Sequence, residues 1–261
     1  MTPTELEVLF RPLSARSVMA SALLGTRPPR LRGRLLIALA EQFGIAPGTA
    51  RVALSRMVEK GELVNDDGMY ALSGELLKRQ RRQDLARSSA SSQRDGRWDG
   101  AWEQAIVAES GRTAAKRHAL RRDLGAARLG ELREGVWMRP GNLDREAGDL
   151  LDGDVANHVL WFRVSPSDTA AAGELVGRLF ALDAWSDTAA ELLGQLQGSA
   201  DDLAARFRLA AAVLQHLTHD PLLPIELYPP GWPADQLRQA YARYEADLQV
   251  ELRSFFAAVG A

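Results

Sequence analysis

Residues 43–72 read FGIAPGTARVALSRMVEKGELVNDDGMYAL, and this stretch decides the fold of the N-terminal part of the chain. Its apolar residues recur at helical spacing over residues 49–60, directly after a short turn. Two β-like runs follow at residues 62–64 and 69–72, and the Asp67-Gly68 pair between them is typical of a hairpin turn. The stretch therefore predicts a turn, a helix and a β-hairpin in that order.

Two further helices are predicted before this stretch, at residues 14–24 and 34–43, with Ser14 as the N-cap of the first. Residues 26–33, TRPPRLRG, cannot form a regular helix, because their two prolines lack the backbone donor and fix φ. Helix, helix, turn, helix, hairpin is the order of a winged helix-turn-helix. In that fold the last helix enters the major groove of DNA.

The helix at residues 49–60 is amphipathic. Its apolar side consists of Ala50, Ala53, Leu54, Met57 and Val58. The opposite side carries Thr49, Val52, Ser55, Arg56 and Glu59, with Arg51 on the flank. The candidate DNA-reading residues are Thr49, Arg51, Val52, Ser55 and Arg56. Arginine pairs with guanine, hydroxyls pair with several bases, and valine can contact a thymine methyl. Arg79 and Arg82, in a basic run further on, are candidate phosphate contacts.

The charge of the chain is unevenly distributed, although its net charge is only −2. Residues 1–97 hold 14 arginines and 2 lysines against 10 acids, a net charge of +6, whereas residues 98–261 have a net charge of −8. A basic N-terminal segment followed by an acidic remainder favours a nucleic-acid-binding module attached to a different kind of domain.

Several classes of protein are excluded by composition. The 261 residues contain no cysteine, which excludes disulfides, thiolate metal sites and a cysteine nucleophile. No apolar stretch approaches the roughly 20 residues of a membrane span, and the N-terminus is acidic where a signal peptide is basic. We therefore expect a cytoplasmic protein without a membrane association.

The middle of the chain predicts a ferredoxin-like fold. Strands are expected at residues 102–109, 128–132, 136–139 and 156–164, and helices at 113–124 and 143–151. Their order, β-α-β-β-α-β, is that of the split βαβ arrangement. From residue 169 the sequence becomes helical, and its last helix is expected at residues 234–259.

These segments predict an α+β protein of three domains. Residues 1–90 form the winged helix, residues 98–165 the ferredoxin-like middle domain, and residues 166–261 a helical C-terminal domain.

Motifs in all three segments resemble one family, the PaaX-like repressors of phenylacetate catabolism. The motifs are SARS at 14–17, LLGT at 23–26, PPRL at 28–31, FGI at 43–45, RVALSRM at 51–57, GEL at 61–63, WDGAW at 98–102, GVWMRP at 135–140, DPLLP at 220–224 and WP at 232–233. The resemblance implies a homodimeric repressor of an aromatic-compound catabolic operon. An aryl-acyl-CoA such as phenylacetyl-CoA would release it from its operator DNA.

A CoA effector requires arginines for its phosphates and an aromatic slot for its acyl group. Residues 98–261 contain six candidates of these two kinds, which are Arg121, Arg122, Trp137, Arg139, Trp161 and Arg163. We expect the effector between the middle and C-terminal domains, and we expect no bound cofactor.

Two other functions remain open from the sequence. The chain could regulate another catabolic pathway through a ligand that is not a CoA thioester. Alternatively, the middle segment resembles the CRISPR-adaptation proteins of ferredoxin-like fold, some of which are metal-dependent nucleases. For such an enzyme Asp99 and Glu109 are the candidate carboxylates, but the negative net charge of residues 98–261 disfavours binding of nucleic acid.

No nucleotide-binding or hydrolase motif occurs in the sequence. His216 and His219 directly precede the DPLLP segment, and a hydrogen-bonded cap at that segment explains them without a metal. We therefore expect no enzyme and no metal site.

Overall fold

The computed structural model describes residues 13–87, 98–108, 113–143, 158–166, 170–198 and 202–260. They form two compact units. One takes in the described parts of Met1–Arg87, Ala190–Gln215 and Gln236–Ala261, and the other those of Ser88–Ala189 and His216–Asp235. Helices of the C-terminal segment thus contribute to both units. The division into three folding domains at 1–90, 98–165 and 166–261 stays a prediction.

The first unit begins with a winged helix-turn-helix. Its elements are α1 (Ala15–Gly25), β1 (Arg30–Arg32), α2 (Gly33–Glu41), α3 (Pro47–Glu59), β2 (Leu63–Asp66), β3 (Met69–Leu72) and α4 (Gly74–Arg87). The predicted cap at α1 is present, because the Ser14 side chain accepts a hydrogen bond from the backbone N–H of Ser17. The predicted order of three helices and a hairpin is confirmed.

Two details of this unit differ from expectation. α3 begins at Pro47, inside the stretch interpreted as a turn, because a proline at the first helical position needs no backbone donor and already has a helical φ. Arg30–Arg32 form a strand, β1, which pairs antiparallel with β3 so that the sheet order is β1-β3-β2. A three-residue strand is too short to give a period-2 signal in the sequence.

The core of the winged helix is formed by the facing sides of its three helices and the first residue of the wing. Its most buried side chains, each no more than 2% exposed, are Val18, Met19, Leu23, Leu36, Leu39, Leu54, Met57 and Leu63. Burying a side chain of this size stabilises a fold by about 1.5–3 kcal/mol.

Two helices of the C-terminal segment belong to the same unit over most of their length. They are α8 (Leu203–Leu217) and α9 (Ala234–Gly260). The preceding helix, α7 (Leu182–Gln197), is divided between the two units. α9 is fixed to the winged helix by hydrogen bonds from Gln249 Nε2 to the carbonyl of Gly25 at 3.0 Å and from Arg238 Nε to that of Ala86, also at 3.0 Å. Phe207 of α8 meets Phe43 edge to face, with ring centroids 5.5 Å apart.

The second unit contains the predicted ferredoxin-like sheet. Its elements are β4 (Trp102–Val107), α5 (Ala114–Ala126), β5 (Gly130–Arg133), β6 (Val136–Pro140), β7 (Val159–Val164) and α6 (Ala170–Leu179). The strands are antiparallel in the order β5-β6-β4-β7, with the first and third strands of the motif at the centre. The helix expected at residues 143–151 lies almost entirely outside the described residues.

Each face of this sheet carries an apolar cluster, although Leu160 and Phe162 of β7 are exposed. One apolar cluster joins Ala105 and Trp137 to Leu124 of α5. The other joins Trp102 and Met138 to Val176 of α6. The α+β class and all four strands of the middle segment are therefore confirmed. No helix within the described residues has the length and apolarity that a membrane crossing requires.

Candidate nucleic-acid interface

One face of α3 is buried and the other is exposed, as its sequence periodicity predicts. Ala50, Leu54 and Met57 are at most 2% exposed and pack against α1 and α2. The helix has a proline at its first position and ends before Gly61, whose φ of +68° suits glycine. The winged-helix core thus fixes which side of α3 faces solvent.

All five candidate base-reading residues are exposed on that side. They are Thr49, Arg51, Val52, Ser55 and Arg56. Val52 is 50% exposed on the same side. Arg51 and Arg56 make no ion pair with any other described residue. Their guanidinium donors are therefore available for an external acceptor.

The wing has the turn that its sequence predicts. Asp67 and Gly68 have φ angles of 46° and 76°, the left-handed pair of a type I′ turn. The Asn65 side-chain oxygen accepts a hydrogen bond of 3.1 Å from the backbone N–H of Gly68, which fixes the loop. Val64 is 52% exposed on the wing.

Sequence reasoning missed a basic strand beside the wing. Arg30 and Arg32 are exposed at either side of the buried Leu31 in β1, which hydrogen-bonds to β3. The alternation RLR, directly after the two prolines, is the signal that could have revealed it. Both arginines are additional candidates for phosphate contacts.

The two candidate phosphate contacts of α4 have different surroundings. Arg82 is partly exposed, whereas Arg79 lines a cleft between α1, α4, α8 and α9 within the first unit. Burial lowers the pKa of Arg79, and the positive charges of Arg16 and Arg82 lower it further. No residue that the structure describes forms an ion pair with Arg79, and a partly desolvated cation of this kind attracts an anion.

Four of the six candidate effector residues share one face of the second unit's sheet. Trp137 and Arg139 on β6 and Trp161 and Arg163 on β7 lie on either side of β4, opposite Ala105 and Glu103 in register. Trp137 is buried in the cluster beneath α5, and Trp161 packs against that cluster. The structure thus brings the two tryptophans together, as side chains of a packed core.

The candidate arginines of the second unit all have acidic partners. Arg139 is only 1% exposed and donates through Nε to Glu103 at 3.0 Å and through Nη1 to the carbonyl of Ala127 at 3.2 Å. The exposed arginines pair at the surface, Arg121 with Glu131, Arg122 with Asp123 and Arg163 with Asp99. An effector phosphate would have to compete with these carboxylates. An exposed pair is weak enough for that competition, whereas a buried one is not.

The two carboxylates considered for a nuclease, Asp99 and Glu109, are not seen together in the part of the chain that the structure describes. Asp99 accepts hydrogen bonds from the backbone of Ala101 and from Arg163, and these bonds hold its pKa below the usual range. Glu109 lies outside the described residues. Among the residues that the structure describes, no group of three or more potential ligands is placed to hold a metal ion.

His216 lies in a stack of rings. Its Nε2 is 3.0 Å from the carbonyl oxygen of Trp185, and its ring stacks on that tryptophan with centroids 4.4 Å apart. Trp232 also stacks on Trp185, with ring centroids 4.5 Å apart, and Tyr228 stacks on Trp232. Burial lowers the pKa of His216 to about 4, so the ring is neutral near pH 7. Packing accounts for this histidine without a metal.

A three-helix core with a wing and one solvent-facing side on its third helix defines the winged-helix class, here in one chain with a ferredoxin-like sheet. Comparison with known proteins agrees with this. Residues 14–76 match the family model described as PaaX-like protein, and residues 95–176 match that of the PaaX protein central Cas2-like domain. No curated protein matches the chain.

A solved structure is similar over nearly the whole length. It is described as uncharacterized protein Rv0674 from Mycobacterium tuberculosis. It is 42% identical in sequence, with 93% of this chain and 98% of that chain covered and a TM-score of 0.68. The chain belongs to the PaaX-like family, whose members are generally transcriptional repressors.

Proposed function

We propose that this protein is a transcriptional repressor that binds double-stranded operator DNA through α3. The observation that carries the proposal is the exposed side of α3, opposite a buried apolar side. It presents two hydroxyls, a valine and two arginines that form no ion pair within the described part of the chain. This is the set of groups that reads base edges in the major groove.

Each of the five candidate reading residues of α3 has a role in this proposal. Arg51 and Arg56 donate to the O6 and N7 acceptors of guanines, and Val52 contacts a thymine methyl. Thr49, near the start of the helix, and Ser55 hydrogen-bond to bases or phosphates.

Phosphate contacts come from the residues around α3. The exposed Arg30 and Arg32 of β1 supply positive charge next to the wing, and Arg82 of α4 adds to it. Such contacts position the module and make binding dependent on salt, without reading sequence.

The repressor acts as a homodimer on paired half-sites. A single winged helix buries too little surface on DNA for the affinity of a specific repressor. Two copies related by a two-fold axis bind half-sites one or two helical turns apart.

The effector in this proposal is an aryl-acyl-CoA of the phenylacetyl type, and the target is an operon for aromatic catabolism. Membership of the PaaX-like family supports this choice. Arg121, Arg122 and Arg163 are exposed enough to leave their surface ion pairs for a phosphate, with Trp161 close to Arg163 on β7. A 100-fold loss of operator affinity requires about 2.7 kcal/mol of coupling between the two ligands.

The proposal is tested by selecting binding sites for the full-length chain from random duplex DNA. An inverted repeat with a spacing of one or two turns, bound by two copies, is the expected result. Release by phenylacetyl-CoA, but not by free CoA or free phenylacetate, would support the effector. Recovery of no preferred sequence would refute specific DNA reading.

A further inference from the structure

The outer face of the wing sheet, which is the face opposite the buried Leu31, is charged differently at its two edges. Paired residues of neighbouring antiparallel strands share a face, and the register places Arg32 of β1, Met69 of β3 and Asp66 of β2 in one row. Arg30 lies on the same face as Arg32, because side chains alternate along a strand. The outer face therefore carries two arginines at one edge and an aspartate at the other.

The wing tip, residues 65–68, is acidic, although the winged helix around it is basic. Asp66 and Asp67 are exposed, and neither forms an ion pair within the described part of the chain. By contrast, Glu62 at the base of the wing is paired with Arg16 at 2.7 Å. Residues 1–97 have a net charge of +6. The wing tip thus presents two exposed carboxylates on a module whose net charge is positive.

Two hydrogen bonds hold the wing tip in place. The Asn65 side-chain oxygen accepts a hydrogen bond of 3.1 Å from the backbone N–H of Gly68. The carbonyl oxygen of Gly68 accepts another, of 2.9 Å, from the backbone N–H of Gly33, the residue directly after β1. The turn that carries the two aspartates is therefore joined to the end of the strand that carries the two arginines.

Duplex DNA acts on the two edges of the wing sheet in opposite ways. The duplex carries one negative charge per about 1.7 Å of its axis. Its phosphates attract the arginines of β1 and repel the carboxylates of the wing tip, over a screening length of about 8 Å at physiological ionic strength. The module therefore approaches the duplex most favourably with β1 towards the backbone and the wing tip away from it.

This repulsion affects a complex on the operator less than complexes on other sequences. On the operator, the proposed hydrogen bonds from Arg51 and Arg56 to base edges fix the orientation of the module. On other sequences only phosphate contacts remain, and a complex held by them slides and hops along the duplex. Whenever such a complex brings the wing tip against a phosphate, the two carboxylates make it unfavourable.

We propose that Asp66 and Asp67 are specificity-determining residues of the DNA interface, which repel phosphates and thereby weaken binding to sequences other than the operator. The inference rests on the proposed reading of DNA by α3. Specificity is a difference between two affinities, and like charges placed against each other suppress the wrong partner. The wing tip then stays out of the minor groove, because the negative potential there attracts basic side chains.

The test compares the full-length chain with the double variant Asp66→Asn/Asp67→Asn on two duplexes of equal length, one selected from random DNA and one of random sequence. Asparagine keeps the size of the side chain and, like aspartate, tolerates the positive φ of residue 67. By fluorescence anisotropy, the variant should bind the random duplex at least about fivefold more tightly, because two charges that repel phosphates are gone. Its affinity for the selected duplex should change less than about twofold, because base contacts orient that complex.

A matched control separates the position of the charges from their number. Asp187 of α7 and Asp247 of α9 are exposed, so Asp187→Asn/Asp247→Asn changes the net charge by the same amount away from the wing. This control variant should bind both duplexes as the unaltered chain does. The gain of the wing variant on random duplex should also shrink as the salt concentration rises, since salt screens exposed charges.

Several results would overturn the proposal. They are an equal gain on both duplexes, no gain on random duplex, or a gain that the control variant matches. A loss of affinity for the selected duplex would also overturn it, because the carboxylates would then accept hydrogen bonds from a base such as cytosine. If the selection recovers no preferred duplex, the proposed function fails. If a preferred duplex exists and the wing variant keeps the same ratio of affinities as the unaltered chain, only the inference about the wing tip fails.

Discussion

Arg16 of α1 holds Glu62, the residue before β2, through two hydrogen bonds, from Nε to Oε2 at 2.8 Å and from Nη2 to Oε1 at 2.7 Å. The pair joins the first helix to the base of the wing. The hydrogen bond to Arg16 lowers the pKa of Glu62, and the same bond raises the pKa of Arg16. The position of the wing therefore depends on a contact between residues 46 positions apart in the sequence.

Breaking this contact should have a small effect on stability and a clear dependence on pH. Glu62→Gln should lower the free energy of unfolding by no more than about 1 kcal/mol, because the Arg16 side chain is 47% exposed. Since the pKa of Glu62 is lowered by folding, its contribution is complete above the usual glutamate range and is lost as the pH falls through the folded value. Urea unfolding at pH 7 and pH 3 measures this. An equal difference between variant and parent at the two pH values would contradict it.

His216 should make the second unit less stable in acid. Its pKa is about 4 when folded and 6.5 when exposed, so the unfolded chain binds a proton between these values and the folded chain does not. The free energy of unfolding should fall by roughly 3 kcal/mol as the pH decreases from about 6.5 to about 4. His216→Gln keeps a donor for the carbonyl of Trp185 and should remove this dependence, whereas His118→Gln, at an exposed position, should not. Tryptophan fluorescence during urea unfolding reports the result.

The buried ion pair of the sheet should be costly to break from one side. Glu103→Gln removes a carboxylate that pairs with the buried guanidinium of Arg139 and should destabilise the second unit by about 3–5 kcal/mol, the usual cost of breaking a buried ion pair from one side. Asp99→Asn, which breaks the exposed pair with Arg163, should cost less than about 1 kcal/mol. Similar losses in the two variants would show that Arg139 is not held as the structure has it.

The basic strand beside the wing should contribute to affinity and not to sequence preference. Arg32→Gln should weaken binding to operator and to random duplex by similar factors. It should also reduce the slope of log affinity against log salt by about 1. Fluorescence anisotropy at several salt concentrations measures both quantities. A loss confined to the operator would instead make Arg32 a base-reading residue.

Local patterns in the sequence predict much of this fold. The periodicity of α3 separates Leu54 and Met57, which are buried, from Arg51 and Arg56, which are exposed. The Asp67-Gly68 turn follows from the need for two positive φ angles. In these places the signal and the structure that it specifies lie within a few residues of each other.

Contacts distant in sequence could not be predicted in this way. The interaction of Gln249 with Gly25 spans 224 positions, and no local pattern indicates that α9 packs on the winged helix. For the same reason the cleft at Arg79 was not foreseen, since its walls come from four separate helices. Arg139 looks like a free cation in the sequence, because its partner Glu103 lies on the neighbouring strand.

The central claim, that α3 reads DNA sequence, is tested most directly by comparing Arg56→Ala with Arg243→Ala on the selected operator and on random duplex. Both variants lose one exposed arginine, but only Arg56 lies on the proposed reading face. Arg56→Ala should weaken the binding free energy by about 1–3 kcal/mol on the operator and by much less on random DNA. The variant should also lose the preference for one base pair of the operator. Arg243→Ala should change neither affinity. An equal loss on operator and random DNA for Arg56→Ala would contradict the claim.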